Sequence, residues 1–382
     1  MSQYSKAQRK TRAIAQRESV LFVFSNLREM DWIKAVIVDM SKDHEVTVLT
    51  LYPMEQMWFS RLSGPSIRVR NIQFDKPKDI FNAIRFAFSI IGATRSKVII
   101  AHGFYASIVA VTAGKVRFLK KIVTVRHHGR GHYDYPVLNL LDRYISRLSN
   151  RVIAISELTR TLLLNEGVPD KKIVVVSNAI DIHKFRNISK RSKEEFLMRF
   201  GFNHSHFVIG VLSRFVDSKG INHIVEAFSR LLESEPHARL ILANAHGKND
   251  SLDFLIQSLE KKYVVKIEDI GEIERFYSSL DVFVHTPISF DAEPSGLVYL
   301  ESLASGVNSI FTRSGVALEI DNLEAYSWVV DYENSTEIEN TIKSIMRGET
   351  KEKITTEYLS RFTIETYVEN FRSFYLDLSE KQ

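Results

Sequence analysis

Cysteine is absent from the 382 residues, which excludes disulfides and cysteine-based zinc sites and points to a reducing compartment. No stretch approaches the roughly 20 consecutive apolar residues that span a bilayer. The first 17 residues carry five positive charges, no negative ones and no apolar core of the kind a secretory signal needs. A soluble or peripheral protein, cytoplasmic or on the inner face of the cell membrane, is expected. Low-complexity tracts and short repeats are missing. The turn after the first apolar run, Ser25 to Asp31, holds no glycine, so it is not a dinucleotide-binding fingerprint.

What is present fits two packed cores. Hydrophobic residues make up 45% of the chain, enough for two globular domains at this length. Charge is divided unevenly: residues 1–182 hold 28 Lys and Arg against 15 Asp and Glu, net +13, and the remainder hold 23 against 31, net −8. A basic half joined to an acidic one suggests that the first faces an anionic partner, with a membrane leaflet favoured over nucleic acid, for which no reading motif is found.

Short apolar runs alternate with helical patterns along the chain. Val20–Phe24, His44–Thr50, Lys97–Ala101, Lys121–Val125, Val152–Ile155 and Lys172–Val176 read as buried parallel strands, separated by helices at Trp32–Met40, Ile80–Ile91, Ile108–Ala113, Val137–Arg147 and Glu157–Glu166. Asp181–Lys193 is polar and unpatterned, a linker. The pattern restarts with strands at Phe207–Leu212, Ala238–Ala243, Val264–Ile267, Val282–Val284 and Val307–Phe311, and helices dominate after Ile338. This alternation predicts an α/β protein with two doubly wound parallel-sheet lobes and a cleft between them, whose ligands bind beyond the carboxyl ends of the strands.

Three clusters stand at such ends. Arg214 and Lys219 follow one strand and precede a helix, where a forked cation and a point charge suit a diphosphate. Arg126, His127, His128, Arg130, His132 and Asp134 follow another; His128 and His132 lack a third metal ligand, so substrate positioning is the better reading, and His102, after its own strand, suits either a place in the same cleft or a strand-end histidine satisfied by backbone. The third runs from Asp291 to Gly306 and sets Glu293 and Glu301 eight residues apart. Pro294 suits a first helical position, Leu297, Val298, Leu300 and Leu303 make a buried face, and Gly306 is a C-terminal stop. A helix over this span separates the two carboxylates by roughly 12 Å along its axis and offers its N-terminus to a diphosphate. On spacing alone, two glutamates flanking an amphipathic helix are more often a dipole partner at its N-terminus and a solvated surface charge. Lys115, Arg117, Lys120 and Lys121 around Phe118 fit either an interfacial membrane contact or a solvated loop.

Taken in register, these pieces resemble glycosyltransferase family 4. Phe207–Phe228 resembles the family's strand, Arg-x4-Lys-Gly and helix; Ile273–Val284 the helix and strand before its signature; Glu293–Glu301 its Glu-x7-Glu motif; Ile155–Phe185 its inter-lobe segment; and Arg361–Tyr375 its C-terminal helix. The resemblance implies the GT-B fold, with two Rossmann-like lobes at 1–182 and 183–363 and residues 364–382 crossing back onto the first. It implies a retaining, metal-independent hexosyl- or N-acetylhexosaminyltransferase that uses a nucleotide sugar, UDP-linked rather than GDP-linked, as substrate and no cofactor. The acceptor would be a glycan or a lipid-linked molecule in cell-surface polysaccharide or glycoconjugate synthesis. Arg214 and Lys219 would hold the donor diphosphate, Glu301 the ribose and Glu293 the sugar hydroxyls. Gly271 and its loop Ile267–Glu272, together with Ser295, Gly296 and Leu297, would complete the donor site. His127, ahead of His128 and His102, would contact the reacting sugar, with His102, His128, Arg130 and Asn26 on the acceptor side. Departures from the family are Ser25–Arg28 in place of a Gly-Gly turn, Ser295 for an aromatic, Asn308 for proline and Arg313–Gly315 for another Gly-Gly turn. A sugar-nucleotide epimerase and a non-catalytic sugar-nucleotide-binding scaffold are the alternatives.

Overall fold

The computed structural model describes residues 17–380 apart from 26–29, 52–61, 63, 65, 73, 75, 120, 130–134, 187 and 248. Two of the expected acceptor-side residues, Asn26 and Arg130, lie outside the described residues, as does His132.

Contacts divide the chain into two compact units, one of residues 1–155, 159–176 and 367–382, the other of 156–158 and 177–366. The first is built on a seven-stranded sheet in the order β3-β2-β1-β4-β5-β6-β7, every pair parallel. Its strands are β1 (Ser19–Phe24), β2 (Glu45–Thr50), β3 (Ile67–Asn71), β4 (Val98–His102), β5 (Lys121–Arg126), β6 (Arg151–Ala154) and β7 (Ile173–Val175). The central β1 and β4 are buried at all positions, as unbroken apolar runs flanked by helices on both faces must be. The second unit carries a six-stranded sheet in the order β10-β9-β8-β11-β12-β13, also parallel throughout. Here the strands are β8 (Phe207–Leu212), β9 (Ala238–Ala243), β10 (Val264–Ile267), β11 (Val282–His285), β12 (Asn308–Phe311) and β13 (Trp328–Val329). Two doubly wound α/β lobes are therefore present, as expected.

Several local expectations change. β3 and β13 are edge strands that periodicity does not show: β3 exposes Arg68, Arg70 and Asn71, and β13 is two residues long. The stretch 181–193 is not a bare linker. Asp181 accepts hydrogen bonds from the backbone N–H of His183 and Lys184 and caps a tight turn, and Ser189 caps a helix at Lys190–Met198.

Strand order reverses in each sheet, between β1 and β4 in the first and between β8 and β11 in the second. The loops at the carboxyl ends of these two strands diverge to opposite sides of the sheet and leave a crevice there. His102 ends β4, and His285 ends β11; Arg214 and Lys219 follow β8.

The helix Ile364–Glu380 belongs to the first unit from Tyr367 onward. Phe371 lies against Phe22 of β1 with ring centroids 6.3 Å apart, and Tyr375 meets the edge of His44 at 4.9 Å. Arg372 then forks to Asp39 at 2.9 Å and Asp43 at 2.7 Å. Apolar packing dominates this docking, because the ion pairs remain in contact with water. Phe371→Ala is expected to destabilise the first unit by about 3–5 kcal/mol, and Arg372→Ala by about 1 kcal/mol or less, measured by calorimetric unfolding.

Candidate active site

In the second unit the chain leaves β8 at Ser213 and makes one tight turn, Asp217–Lys219, before entering the helix Ile221–Ser234. That helix buries Ile221, Ile224, Val225, Phe228 and Leu231, the spacing of a single apolar face. Gly220 joins turn to helix with φ +65°, and a Cβ there would lie 2.2 Å from the carbonyl oxygen of Thr286. Only glycine lets the turn press against the segment that follows β11. Arg214 stays exposed at the strand end, whereas Lys219 is buried.

Lys219 meets Glu293 from across this gap. Its Nζ donates to Glu293 Oε2 at 2.7 Å and to the carbonyl of Ala292 at 3.2 Å. His285, at the end of β11, brings Nε2 to 3.3 Å from the same oxygen. Burial alone would raise the Glu293 carboxyl. The nearby His285 ring N–H and the charge of Lys219 outweigh it and hold the group down to about 2 from its ordinary 4.5. Glu293 is thus an ionised carboxylate, paired on one oxygen, in a mostly water-excluded position.

The segment around Glu293 is not the helix expected from Pro294. The helix runs from Leu297 to Ser305, and Gly296 stands before it at φ +77°. The reason is packing. A Cβ at Gly296 would reach the Tyr299 ring at 2.6 Å and Glu293 Cγ at 2.8 Å, so the turn folds the Glu293 side chain down over its own helix start. The Ser314 hydroxyl accepts from Glu293 N–H at 3.0 Å, and Val316 N–H donates to Ser295 O at 2.7 Å. The roughly 12 Å helical separation of Glu293 and Glu301 does not apply, since only Glu301 lies on the helix. Ser295 is buried and accepts from Asn178 at 3.3 Å. Leu297 opens the helix, where the first N–H groups lack intrahelical partners and suit an anion.

Glu301 accepts from the Tyr277 hydroxyl at 2.9 Å. Burial pushes its carboxyl up to about 7, although the Tyr277 bond and the charge of Lys184 pull the other way. The two glutamates are therefore pushed in opposite directions, Glu293 down to about 2 and Glu301 up to about 7. Gly271 sits in the loop after β10 with φ +58° and donates its N–H to Asp269 at 3.1 Å.

In the first unit, β4 and β5 bring two histidines together. His102 Nδ1 lies 3.0 Å from His127 Nε2, and His102 stacks on Phe24 at 4.7 Å. Burial and the neighbouring His128 depress His127 to about 4; burial and His127 hold His102 well below its ordinary value. Both rings are neutral at physiological pH, so one donates to the other. His128 turns away and pairs with Asp142 at 2.8 Å. Arg126 contacts the same Asp142 at 2.5 Å and Glu166 at 2.7 Å. Among the described residues no group of three or more His, Asp or Glu is placed to hold a metal ion.

Sequence reasoning did not single out His285, Tyr277, Asp142 or Glu166. His285 ends an apolar strand and Tyr277 lies in an apolar helical pattern, where both read as core. The position of His285 at the sheet's reversal point is the signal that could have raised it.

Residues 192–361 match the family described as glycosyl transferases group 1, and residues 40–184 match the one described as glycosyltransferase family 4. Among curated proteins, the chain is 28% identical over 186 residues to mannosylfructose-phosphate synthase of Agrobacterium fabrum, covering 45% of this chain and 39% of that one. It is 27% identical over 197 residues to the capsular polysaccharide biosynthesis glycosyltransferase CapM of Staphylococcus aureus, covering 49% and 50%. The chain thus spans half or less of the length of these two relatives. Among solved structures, Anabaena Alr3699/HepE in complex with UDP and glucose superposes with a TM-score of 0.79 at 17% identity, covering 94% of this chain and all of that one. At that identity the likeness is one of fold.

The raised carboxyl of Glu301 has a sign that can be checked. A group whose pKa rises from 4.5 to about 7 on folding favours the folded state when protonated, so its contribution is full below pH 4.5 and is lost as pH rises through 7. Glu301→Gln is expected to remove this loss: between pH 5 and pH 8 its denaturation midpoint falls less than that of the wild type. Parallel pH profiles for the two proteins would contradict the assignment.

Proposed function

We propose that this chain, which belongs to glycosyltransferase family 4, moves a sugar from a nucleotide-sugar donor to a glycan or lipid-linked acceptor in cell-surface polysaccharide or glycoconjugate synthesis. The observation that carries this reading is the buried Lys219–Glu293 pair beside exposed Arg214, all at the carboxyl ends of β8 and β11 where the sheet order reverses. Arg214 and Lys219 bind the diphosphate and offset the charge that grows on the leaving nucleotide. The N-terminal N–H groups of the helix Leu297–Ser305 add to the same field. Glu293, ionised and anchored, accepts from hydroxyls of the donor sugar. Glu301 accepts from the ribose, and the loop with Gly271 holds the base through its backbone. A UDP-sugar is favoured, and the UDP and glucose bound to the HepE neighbour support that choice.

Transfer proceeds with retention and without a metal, by attack on the face the nucleotide leaves. The bond between the anomeric carbon and the oxygen of the diphosphate breaks, and its electron pair stays on that oxygen of the departing nucleotide diphosphate. The acceptor oxygen forms the new bond, and its proton goes to the departing phosphate. His127, held neutral by burial, is a hydrogen-bonding partner for the reacting sugar rather than a charged one.

An anionic lipid surface is the proposed setting, on the cytoplasmic side. Residues 1–182 carry net +13. The helix Pro136–Leu148 exposes Val137, Leu140 and Tyr144, one apolar stripe beside Arg143, and Phe118 is 90% exposed next to Arg117. An apolar stripe among cations lies well in a headgroup layer. Among the described residues no helix is long and apolar enough to cross a membrane.

A panel of UDP-, GDP- and ADP-sugars tests the donor: a UDP-sugar is expected to raise the melting temperature most. With that donor and a suitable acceptor, Glu293→Ala and Lys219→Ala should each lower kcat by about a hundredfold or more. Wild-type turnover in both variants would refute the site. Donor conversion with no acceptor and no hydrolysis would mark an epimerase, and no nucleotide-sugar binding would mark a scaffold. Leu140→Glu is expected to weaken co-sedimentation with anionic vesicles while leaving soluble-donor binding unchanged.

A further inference from the structure

His285 is unusual among the histidines of the second unit. It ends the apolar strand β11, is 2% exposed, and sits edge-on to the Tyr299 ring at 4.9 Å with Phe283 on its other side at 6.4 Å. Its Nε2 lies 3.3 Å from Glu293 Oε2, within reach of the carboxylate though not in hydrogen-bond alignment with it, and is otherwise unpaired among the described residues. A lone pair aimed at a carboxylate would repel it, so Nε2 carries the proton. The other charged or titratable groups about this ring are Lys219 and, on the neighbouring helix, Tyr299, whose hydroxyl is engaged with Thr312 O at 3.2 Å.

Lys219 and His285 thus share one oxygen of Glu293, but they are not equivalent. Lys219 is a flexible ammonium with a third N–H to give, and a donor diphosphate is a stronger anion than a carboxylate. Once the diphosphate draws on that charge, the hold of Lys219 on Glu293 weakens. A carboxylate that is buried and loses its partner either takes up a proton or moves toward water. Among the described residues His285 has no second carboxylate beside it, and its ring lies against Tyr299 and Phe283.

We propose that His285 is a positioning residue for Glu293, the donor that stays on the carboxylate while Lys219 turns to the diphosphate and so keeps Glu293 ionised and aimed at the sugar hydroxyls. This rests on the reading of Lys219 and Glu293 as the donor site. It goes beyond that reading in assigning the third member, a strand-end histidine that touches neither nucleotide nor sugar.

The test compares His285→Leu, which removes the N–H, with His285→Gln, whose amide can return a donor near Nε2. In the free protein, carbon-labelled glutamate followed by NMR should show Glu293 titrating about one unit or more higher in the Leu variant and near its wild-type value in the Gln variant. With donor and acceptor, the Leu variant should lose roughly 10- to 100-fold in kcat, with its acid limb moved to higher pH and a smaller change in donor KM. The Gln variant should recover most of both. Unchanged Glu293 titration in the Leu variant, or failure of Gln to restore it, overturns the proposal. Should His285→Leu not fold, His285→Asn supplies the contrast, because its shorter amide stops short of the carboxylate. If Glu293→Ala turns over like wild type, the donor-site reading fails instead, while the glutamate titration still decides whether His285 holds Glu293.

Discussion

The second unit is arranged around one largely buried carboxylate. Taking Glu293 out of water costs several kcal/mol unless its charge is met, and here it is met by a lysine and a histidine on a single oxygen. The rest of the local backbone follows from that need. Gly220 lets the turn that carries Lys219 close on Thr286, and Gly296 lets the Glu293 side chain lie against Tyr299. Ser314 ties the Glu293 backbone to the strand-end loop after β12. What results is a charge held in place by the fold itself, with both neighbours on one carboxylate oxygen. Preorganised polar groups of this kind stabilise a transition state without reorganising during the reaction.

The first unit solves a different electrostatic problem. Its buried cation, Arg126, is met by Asp142 and Glu166, and His128 shares Asp142. That network fixes the chain as it leaves β5 and leaves His127 to pair with His102. One strand end therefore contains a charged, fully engaged cluster and a neutral, hydrogen-bonded pair of rings. The split separates charge from hydrogen bonding: the cluster on Asp142 and Glu166 holds the cations, and the histidine pair stays neutral.

Much of the fold was legible because parallel strands buried on both faces read as unbroken apolar runs; β1, β4, β8 and β9 are of this type. The edges were not, since β3 alternates exposed arginines with valine and isoleucine, and β13 is too short for any period to show. The helix at Leu297 starts three residues later than Pro294 suggests, because contacts with Tyr299 and with the loop at Gly315 override the local preference of proline. Lys219 and Glu293 were found from the sequence and prove to be bonded. Their partner His285 was not, since a histidine closing an apolar strand looks the same whether it fills space or holds a carboxylate. Glu301 was recognised by spacing, but its raised carboxyl comes from burial that spacing does not report.

The central claim is that Glu293 reads the sugar while Lys219 reads the diphosphate. Calorimetric titration of the free nucleotide diphosphate and of its sugar conjugate into wild type and Glu293→Ala tests it most directly. The account predicts that the variant binds the nucleotide diphosphate as tightly as wild type or more so, with Lys219 released to it, and loses the additional affinity conferred by the sugar. Equal loss of affinity for both ligands, or retention of the sugar's full increment, would contradict it.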